Sequence, residues 1–339
     1  MTPLLIDCDP GIDDAVALLL AIASSAFADL PGQVAGDGEK SSRFNILGIT
    51  TVAGNVSVAT TETNARCICE LGGRPELKVF AGCPRPLVRQ PVFAEHVHGA
   101  NGLAGVEFPT PRMPLQSQHG VDFLIEMLLQ SPKKVAIAML GPLTNLAVAL
   151  IKAPQIAAQI DRVVIMGGAV GAGNVTSSAE FNFFADPHAA QVVLRAGREQ
   201  GIDLTLIPLD VTHQAIATPA RRAALAALGN RAGGTVARML ENYGLREQGQ
   251  RGFAGPPLHD PCVMAYLLEP GLFEVKRCLA MVETESSLTL GRLGVAREGD
   301  GQGDGQGDGQ GDGYNVAIAQ SIDADGFYRL LTERLARLG

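Results

Sequence analysis

Four aspartates near the start of the 339-residue sequence form its most distinctive chemical feature. Asp7, Asp9, Asp13 and Asp14 fall within eight residues, in the run Asp-Cys-Asp-Pro-Gly-Ile-Asp-Asp. Like charges this close repel one another unless a cation lies among them, and an ordinary helix cap accounts for only one or two of them. Hard cations such as Ca²⁺ take about six to eight oxygen ligands, which carboxylates supply. The run therefore predicts a site for a hard divalent cation.

The position of this run between a strand and a helix indicates how its side chains are aimed. Side chains two apart in a strand point the same way, so Asp7 and Asp9 share a face. Pro10 and Gly11 turn the chain, and the dipole of the helix that follows favours acidic residues in its first turn. The run lacks the loop length and terminal Glu of an EF-hand, so a different calcium site is expected.

Short apolar runs that end in Gly, Asn or Asp alternate with longer segments of helical periodicity, as in βαβ units. We predict an α/β fold: a single large Rossmann-like domain over residues 1–339, with a mainly parallel central sheet flanked by helices. Ligands of such folds bind at the C-terminal ends of the strands. The predicted strands are 3–8, 45–52, 134–139, 161–166, 204–208, 273–283 and 314–319, and the predicted helices are 13–26, 57–71, 119–130, 143–151, 186–197, 231–247, 260–268 and 323–337.

Two segments are expected to be flexible surface insertions. Residues 28–43 are rich in Gly, Ser and charge, and residues 299–313 repeat Gly-Asp-Gly-Gln. Neither composition can bury a core. A calcium-binding solenoid is the alternative for 299–313, but such solenoids have a nonapeptide period with apolar positions, and this repeat has a period of four with none.

Composition and charge narrow the classes of partner. Hydrophobic residues make up 46% of the chain and charged residues 18%, which suits a globular protein. A net charge of -8 disfavours nucleic acid or an anionic membrane as a partner, and the apolar run at 15–23 is too short to span a bilayer. The six cysteines match neither a disulfide framework nor a zinc site. We expect a cytoplasmic protein that binds a small molecule and a cation.

Polar residues follow several predicted strands, where a parallel sheet brings its ligand-binding loops together. Each segment alone is compatible with an ordinary turn, and Asp260 before Pro261 with a helix N-cap. Together they predict a cavity rimmed by amides, glycines and acids. The segments are 50–55, 140–145, 166–168, 173–174, 180–182 and 259–261.

Six motifs in this order resemble those of the inosine-uridine nucleoside hydrolase family from end to end of the chain. They are Asp-Cys-Asp-Pro-Gly-Ile-Asp-Asp-Ala at 7–15, Thr-Thr-Val-Ala-Gly-Asn at 50–55, Gly-Pro-Leu-Thr-Asn at 141–145, Met-Gly-Gly at 166–168, Ala-Glu-Phe-Asn at 179–182 and His-Asp-Pro at 259–261. The resemblance implies a calcium-dependent enzyme of nucleoside catabolism and purine and pyrimidine salvage. It would hydrolyse the N-glycosidic bond of ribonucleosides with inversion at the anomeric carbon, as a homodimer or homotetramer.

The resemblance also implies a set of metal ligands and a catalytic base. Calcium would be bound by Asp9, Asp14, Asp260 and the backbone carbonyl of Leu140. Asp9 would also accept the proton of the attacking water. Asp7 would not bind the metal directly but would fix the loop that carries the ligands.

A second group of residues would bind the nucleoside. By the resemblance, His259 is the candidate proton donor to the leaving base, His98 lines the base side, and Asn174 holds the ribose 5′-hydroxyl. The residues that would hold the 2′- and 3′-hydroxyls are Asp13, Asn55, Glu180 and Asn182.

Two other functions are compatible with parts of the sequence. The pair Asp7 and Asp9 after a first strand resembles haloacid-dehalogenase phosphatases, in which Asp7 would be the nucleophile and Mg²⁺ the metal. Asp13 and Asp14 then stand where a phosphate would be repelled. The third candidate is a non-catalytic nucleoside-binding or calcium-binding protein, which would lose the carboxylate facing the water, whereas Asp9 is present.

One departure from the family leaves the base preference and the proton donor open. Members that act on both purines and pyrimidines often carry a tyrosine about a dozen residues before the His-Asp pair. Here no tyrosine lies between Tyr243 and His259. Phe253 offers an aromatic surface there but has no proton to donate.

Overall fold

A sheet of ten strands runs through the part of the chain that the computed structural model describes, which is residues 1–25, 44–247, 253–296 and 314–339. The strands are β1 (Thr2–Cys8), β2 (Phe44–Thr51), β3 (Val79–Ala81), β4 (Leu115–Gln116), β5 (Val135–Met139), β6 (Ile160–Met166), β7 (Leu204–Ile207), β8 (Phe273–Val282), β9 (Leu293–Ala296) and β10 (Val316–Ile322). Their order across the sheet is β4-β3-β2-β1-β5-β6-β7-β10-β8-β9. Neighbours from β4 to β10 are parallel, and β8 and β9 add antiparallel pairs at one edge. The predicted α/β fold with a mainly parallel sheet is confirmed.

Helices flank this sheet and connect its parallel strands. They are α1 (Ile12–Ala23), α2 (Val58–Leu71), α3 (Glu95–His98), α4 (Gly120–Gln130), α5 (Thr144–Lys152), α6 (Phe181–Ala185), α7 (Pro187–Glu199), α8 (Leu209–Thr212), α9 (Pro219–Ala226), α10 (Arg231–Glu247), α11 (Pro261–Leu268) and α12 (Ala324–Leu335). None of the helices among these described residues is both long enough and apolar enough to cross a membrane.

The central strand β1 is buried on both faces of the sheet. Leu4 and Ile6 belong to one hydrophobic cluster and Leu5 to the other, because alternate side chains of a strand point to opposite faces. Helix α1 is buried along its whole length, as expected of a helix without a polar stripe. Its first turn nevertheless contains Asp13 and Asp14. The fold therefore holds these two acids inside the protein, at the carboxyl end of β1.

The structure adds short elements that the sequence analysis did not predict. Strands β3, β4 and β9 contain two to four residues, and helices α3, α6 and α8 contain four or five. Segments this short do not complete enough periods to show hydrophobic periodicity. Helix α9 was also missed. The predicted insertions, 28–43 and 299–313, lie outside the described residues.

Candidate active site

A cavity of about 280 Å³ lies at the carboxyl ends of the parallel strands. Asn55 follows β2, Leu140 follows β5 and Met166 ends β6, and all three line it. No lysine or arginine among the described residues is part of the wall. The other predicted site residues in the wall are Asp13, His98, Asn174, Glu180, Asn182, His259 and Asp260.

Asp14 closes the turn between β1 and α1. One of its carboxylate oxygens accepts the Asp9 amide N–H at 3.1 Å, and the other accepts the Gly11 amide at 3.0 Å. The second oxygen also accepts Asn55 Nδ2 at 3.1 Å. Because the Asp14 carboxylate accepts the amides of Asp9 and Gly11, it fixes the conformation of the loop that carries Asp9.

Asp9 is confined on three sides and keeps one carboxylate oxygen without a partner. Oδ2 accepts the Asn55 amide N–H at 2.6 Å, whereas Oδ1 is buried with no hydrogen-bond partner among the described residues. A Cβ added at Gly54 would lie 2.1 Å from Oδ2, and one added at Gly141 would lie 2.3 Å from Oδ1. A buried carboxylate oxygen without a partner is costly. Its presence indicates a ligand that completes the site.

Three acids at the N-terminal ends of two helices, α1 and α11, meet next to the cavity. One carboxylate oxygen each from Asp13, Asp14 and Asp260 lie within 4.8 Å of one another, and all three residues are buried. The sequence analysis grouped Asp9 rather than Asp13 with the metal ligands. In the structure Asp9 is joined to Asp14 by its backbone amide and through Asn55, and the group within 4.8 Å contains Asp13 instead.

The electrostatics of this cluster favour a cation. Burial raises the pKa values of Asp13 and Asp14 to about 6. Burial and the neighbouring carboxylates raise the pKa values of Asp9 and Asp260 well above their usual range. The available donors are carboxylate and carbonyl oxygens, which are the ligands that hard cations prefer. The residues present therefore fit a hard divalent cation.

Asp7 lies beneath the cluster and is fully buried. Its Oδ2 accepts hydrogen bonds from Thr50 Oγ1 and, at 2.7 Å, from Asn145 Nδ2. Burial raises the pKa of Asp7 to about 7. These bonds connect the end of β1 to the neighbouring strand β2 and to helix α5, which follows β5.

Glu180 and Asn182 join the loops that follow β5 and β6. Glu180 caps α6 by accepting the amides of Asn182 and Phe183, and it accepts the Gly168 amide at 2.9 Å. Asn182 Nδ2 donates to the carbonyl oxygen of Leu140 at 2.8 Å. Glu180 is the N-cap of α6 and Asn182 lies in its first turn, and both residues line the cavity.

Histidines and aromatic residues form a further part of the cavity wall. His98 Nδ1 accepts the amide N–H of Ile12 at 3.2 Å, and its ring lies 6.0 Å from the ring of Tyr243. His259 Nδ1 lies 2.7 Å from Thr212 Oγ1. His213 lies between the rings of His259 and Phe253, at 5.8 and 5.3 Å.

The sequence analysis missed Tyr243 and His213 as wall residues. Tyr243 lies on the buried face of α10 with Val236 and Leu240, and this spacing is typical of a core position. His213 directly follows the four-residue helix α8, which was not predicted. The one signal in the sequence that these two residues could line the cavity was their type, since Tyr and His side chains can hydrogen-bond to a nucleobase.

Comparisons with known proteins place the chain among nucleoside hydrolases. The family described as inosine-uridine preferring nucleoside hydrolase matches residues 4–329. An uncharacterised protein of Schizosaccharomyces pombe is 40% identical over 337 residues, which cover 99% of each chain. The pyrimidine-specific ribonucleoside hydrolase RihA of Shewanella sp. strain MR-4 is 38% identical, over 98% of this chain and 96% of its own. The solved purine-preferring ribonucleoside hydrolase of Gardnerella vaginalis has a TM-score of 0.85 at 29% identity, over 99% of each chain.

Proposed function

The chain belongs to the inosine-uridine preferring nucleoside hydrolase family, and we propose that it splits ribonucleosides into base and ribose with Ca²⁺ as cofactor and Asp9 as the catalytic base. The observation that supports this most is the buried Oδ1 of Asp9, which has no partner among the described residues. The amide of the same residue is bonded to Asp14, one of the three clustered acids.

The proposed calcium ligands are the carboxylates of Asp9, Asp14 and Asp260 with the carbonyl oxygen of Leu140. When bound, the cation supplies a Lewis acid that polarises water and fixes hydroxyl groups. The Leu140 carbonyl accepts one hydrogen bond, from Asn182, and keeps a second lone pair for a ligand. Asp13 is next to the same cluster and also reaches the cavity, which suits a residue that accepts a ribose hydroxyl.

Asp9 performs the central proton transfer. Its Oδ1 accepts a proton from water as the water oxygen approaches the anomeric carbon. Gly54 and Gly141 leave the carboxylate little room to turn, so the base is held in one orientation before the substrate arrives. A catalytic base that is already oriented lowers the activation free energy, because no entropy is lost in aligning it with the attacking water.

The ribose is positioned by polar side chains of the cavity wall. Asp13, Asn55, Glu180 and Asn182 would hold the 2′- and 3′-hydroxyls, and Asn174 the 5′-hydroxyl. All of them line the same cavity. As the base departs, the sugar gains positive charge, which the nearby carboxylates stabilise. Water attacks from the face opposite the base, so the configuration at the anomeric carbon should invert.

The base lies on the histidine side of the cavity in this proposal. His259 is the proton donor to the leaving base, and His98 contacts the base. We expect pyrimidine nucleosides to be the better substrates, because the pyrimidine-specific RihA is more similar in sequence than the purine-preferring enzyme of Gardnerella vaginalis.

A panel of three substrates tests the proposed function. Purified protein with Ca²⁺ should release free base from uridine and, more slowly, from inosine, and it should leave p-nitrophenyl phosphate intact. Release of phosphate alone would point to the phosphatase. Tight nucleoside binding without any turnover would point to the non-catalytic protein.

Replacing Gly141 with alanine should lower kcat about tenfold to a hundredfold, because a catalytic group displaced by about 1 Å can lose that much. The added methyl carbon would lie 2.3 Å from Asp9 Oδ1 and force the carboxylate to move. Gly234→Ala is the matched control, since a Cβ there meets nothing within 4 Å. Steady-state kinetics compare the two variants. Equal activity in both would show that Asp9 does not need this confinement.

A further inference from the structure

Thr212 connects the short helix α8 to His259. Its hydroxyl oxygen lies 2.7 Å from His259 Nδ1 and 3.5 Å from the carbonyl oxygen of Leu209. Thr212 is fully buried, whereas His259 reaches the cavity. The hydroxyl therefore contacts the side of the imidazole ring that is turned away from the substrate.

The hydroxyl has one proton, and its neighbours decide where that proton goes. A carbonyl oxygen can only accept, so the Leu209 carbonyl at 3.5 Å gives the hydroxyl proton an acceptor when the hydroxyl oxygen accepts from Nδ1–H of His259 at 2.7 Å. The donor at the 2.7 Å contact depends on the His259 tautomer, and donation by Nδ1–H is the arrangement proposed below. In that arrangement Nε2 is the ring nitrogen on the side away from Thr212. His98 has the opposite arrangement, because its Nδ1 accepts the Ile12 amide and its ring proton must be on Nε2.

The backbone around His259 is held independently of this side-chain contact. The Leu258 amide donates to the carbonyl oxygen of Ala215 at 3.0 Å, and the Ala217 amide donates to that of Pro256 at 2.8 Å. These bonds fix the segment before His259 to the segment after α8. The Thr212 hydroxyl is therefore not needed to hold this backbone, and its contact with Nδ1 orients the imidazole ring.

We propose that Thr212 is a positioning residue, which holds His259 with Nδ1 turned into the protein and Nε2 towards the departing base. The inference rests on the proposed nucleoside hydrolysis. In that reaction the bond from C1′ to the base nitrogen breaks, and its electron pair goes to the base, which takes the proton from His259 Nε2. Water forms the new bond to C1′ and gives a proton to Asp9, and the imidazole is left neutral with its proton on Nδ1.

The variants Thr212→Val and Thr212→Ser test this role with two substrates. Valine keeps the shape and removes the hydroxyl, whereas serine keeps the hydroxyl. Uridine needs a proton on its leaving base, and p-nitrophenyl β-D-ribofuranoside does not, since p-nitrophenolate leaves as an anion. Thr212→Val should lower the ratio of kcat for uridine to kcat for the p-nitrophenyl riboside about tenfold or more. Thr212→Ser should restore most of that ratio, and His259→Ala should reproduce the loss.

A purely structural role for Thr212 predicts a different result. Damage to the fold would lower kcat for both substrates alike, and that outcome, or an unchanged ratio, would overturn the proposal. Failure of the wild-type protein to cleave either substrate would instead refute the proposed function itself.

The tautomer of His259 provides a readout that does not depend on activity. Long-range proton–nitrogen NMR spectra of the protein labelled with ¹⁵N-histidine should show the ring proton of neutral His259 on Nδ1. The signals are assigned by their absence in His259→Ala. Thr212→Val should shift the proton to Nε2 or mix the tautomers, and an unchanged spectrum would contradict the assigned hydrogen bond.

Discussion

Replacing Asp9 with asparagine is expected to lower kcat for nucleoside hydrolysis by about a thousandfold or more. A positioned general base contributes about 10² to 10⁴ in rate, and this carboxylate is also a proposed calcium ligand. Asparagine has nearly the same size, and its carbonyl oxygen can still accept the Asn55 amide that Asp9 accepts at 2.6 Å. The fold should therefore persist while the reaction is lost.

Steady-state kinetics with uridine and thermal unfolding measure the two effects separately. Asp122→Asn is the matched control, because Asp122 lies on α4, forms an exposed ion pair with Lys152 and is not part of the cavity wall. That variant should keep its activity. An Asp9→Asn protein with the wild-type unfolding temperature and the wild-type kcat for uridine would show that Asp9 is not the catalytic base.

Chelation of calcium is expected to abolish activity reversibly and to lower the unfolding temperature by several degrees. Burial disfavours the charged forms of Asp9, Asp13, Asp14 and Asp260, and removal of the cation leaves their mutual repulsion unopposed. A ligand at about a hundred times its Kd stabilises the folded state by about 2.7 kcal/mol. Calcium added back should restore both properties.

The same titration in an Asp260→Asn variant separates the site from calcium bound elsewhere. Asp260 is one of the three acids that meet within 4.8 Å, so its loss should weaken the calcium dependence of the unfolding temperature. Calorimetric titration of the chelated protein gives the affinity directly. Full activity in excess chelator, with an unchanged unfolding temperature, would show that the acidic cluster functions without a metal.

The sheet and the longer helices could be predicted because their patterns repeat over enough residues. The strand predicted at 3–8 and the helix predicted at 13–26 from their apolar patterns correspond to β1 (Thr2–Cys8) and α1 (Ile12–Ala23). The edge strand β4 has only two residues. Its pairing with β3 comes from the tertiary fold and leaves no periodic signal in the sequence.

The candidate site was predicted unevenly, for physical reasons. The motifs identified which loops meet at the cavity, because parallel strands place their following loops at one edge. They carry no information on which carboxylate oxygens approach one another, since that depends on side-chain rotamers; in the structure one oxygen each of Asp13, Asp14 and Asp260 lies within 4.8 Å of the others. Tyr243 was missed because a buried helix face gives the same spacing for a core residue and for a wall residue.

A crystal structure of the protein grown with Ca²⁺ and a ribose mimic that cannot be hydrolysed tests the central claim most directly. We predict one calcium ion bound by Asp9, Asp14, Asp260 and the Leu140 carbonyl, with the diol of the mimic beside it. A well-ordered mimic in the cavity with no metal among these oxygens at saturating calcium would contradict the account.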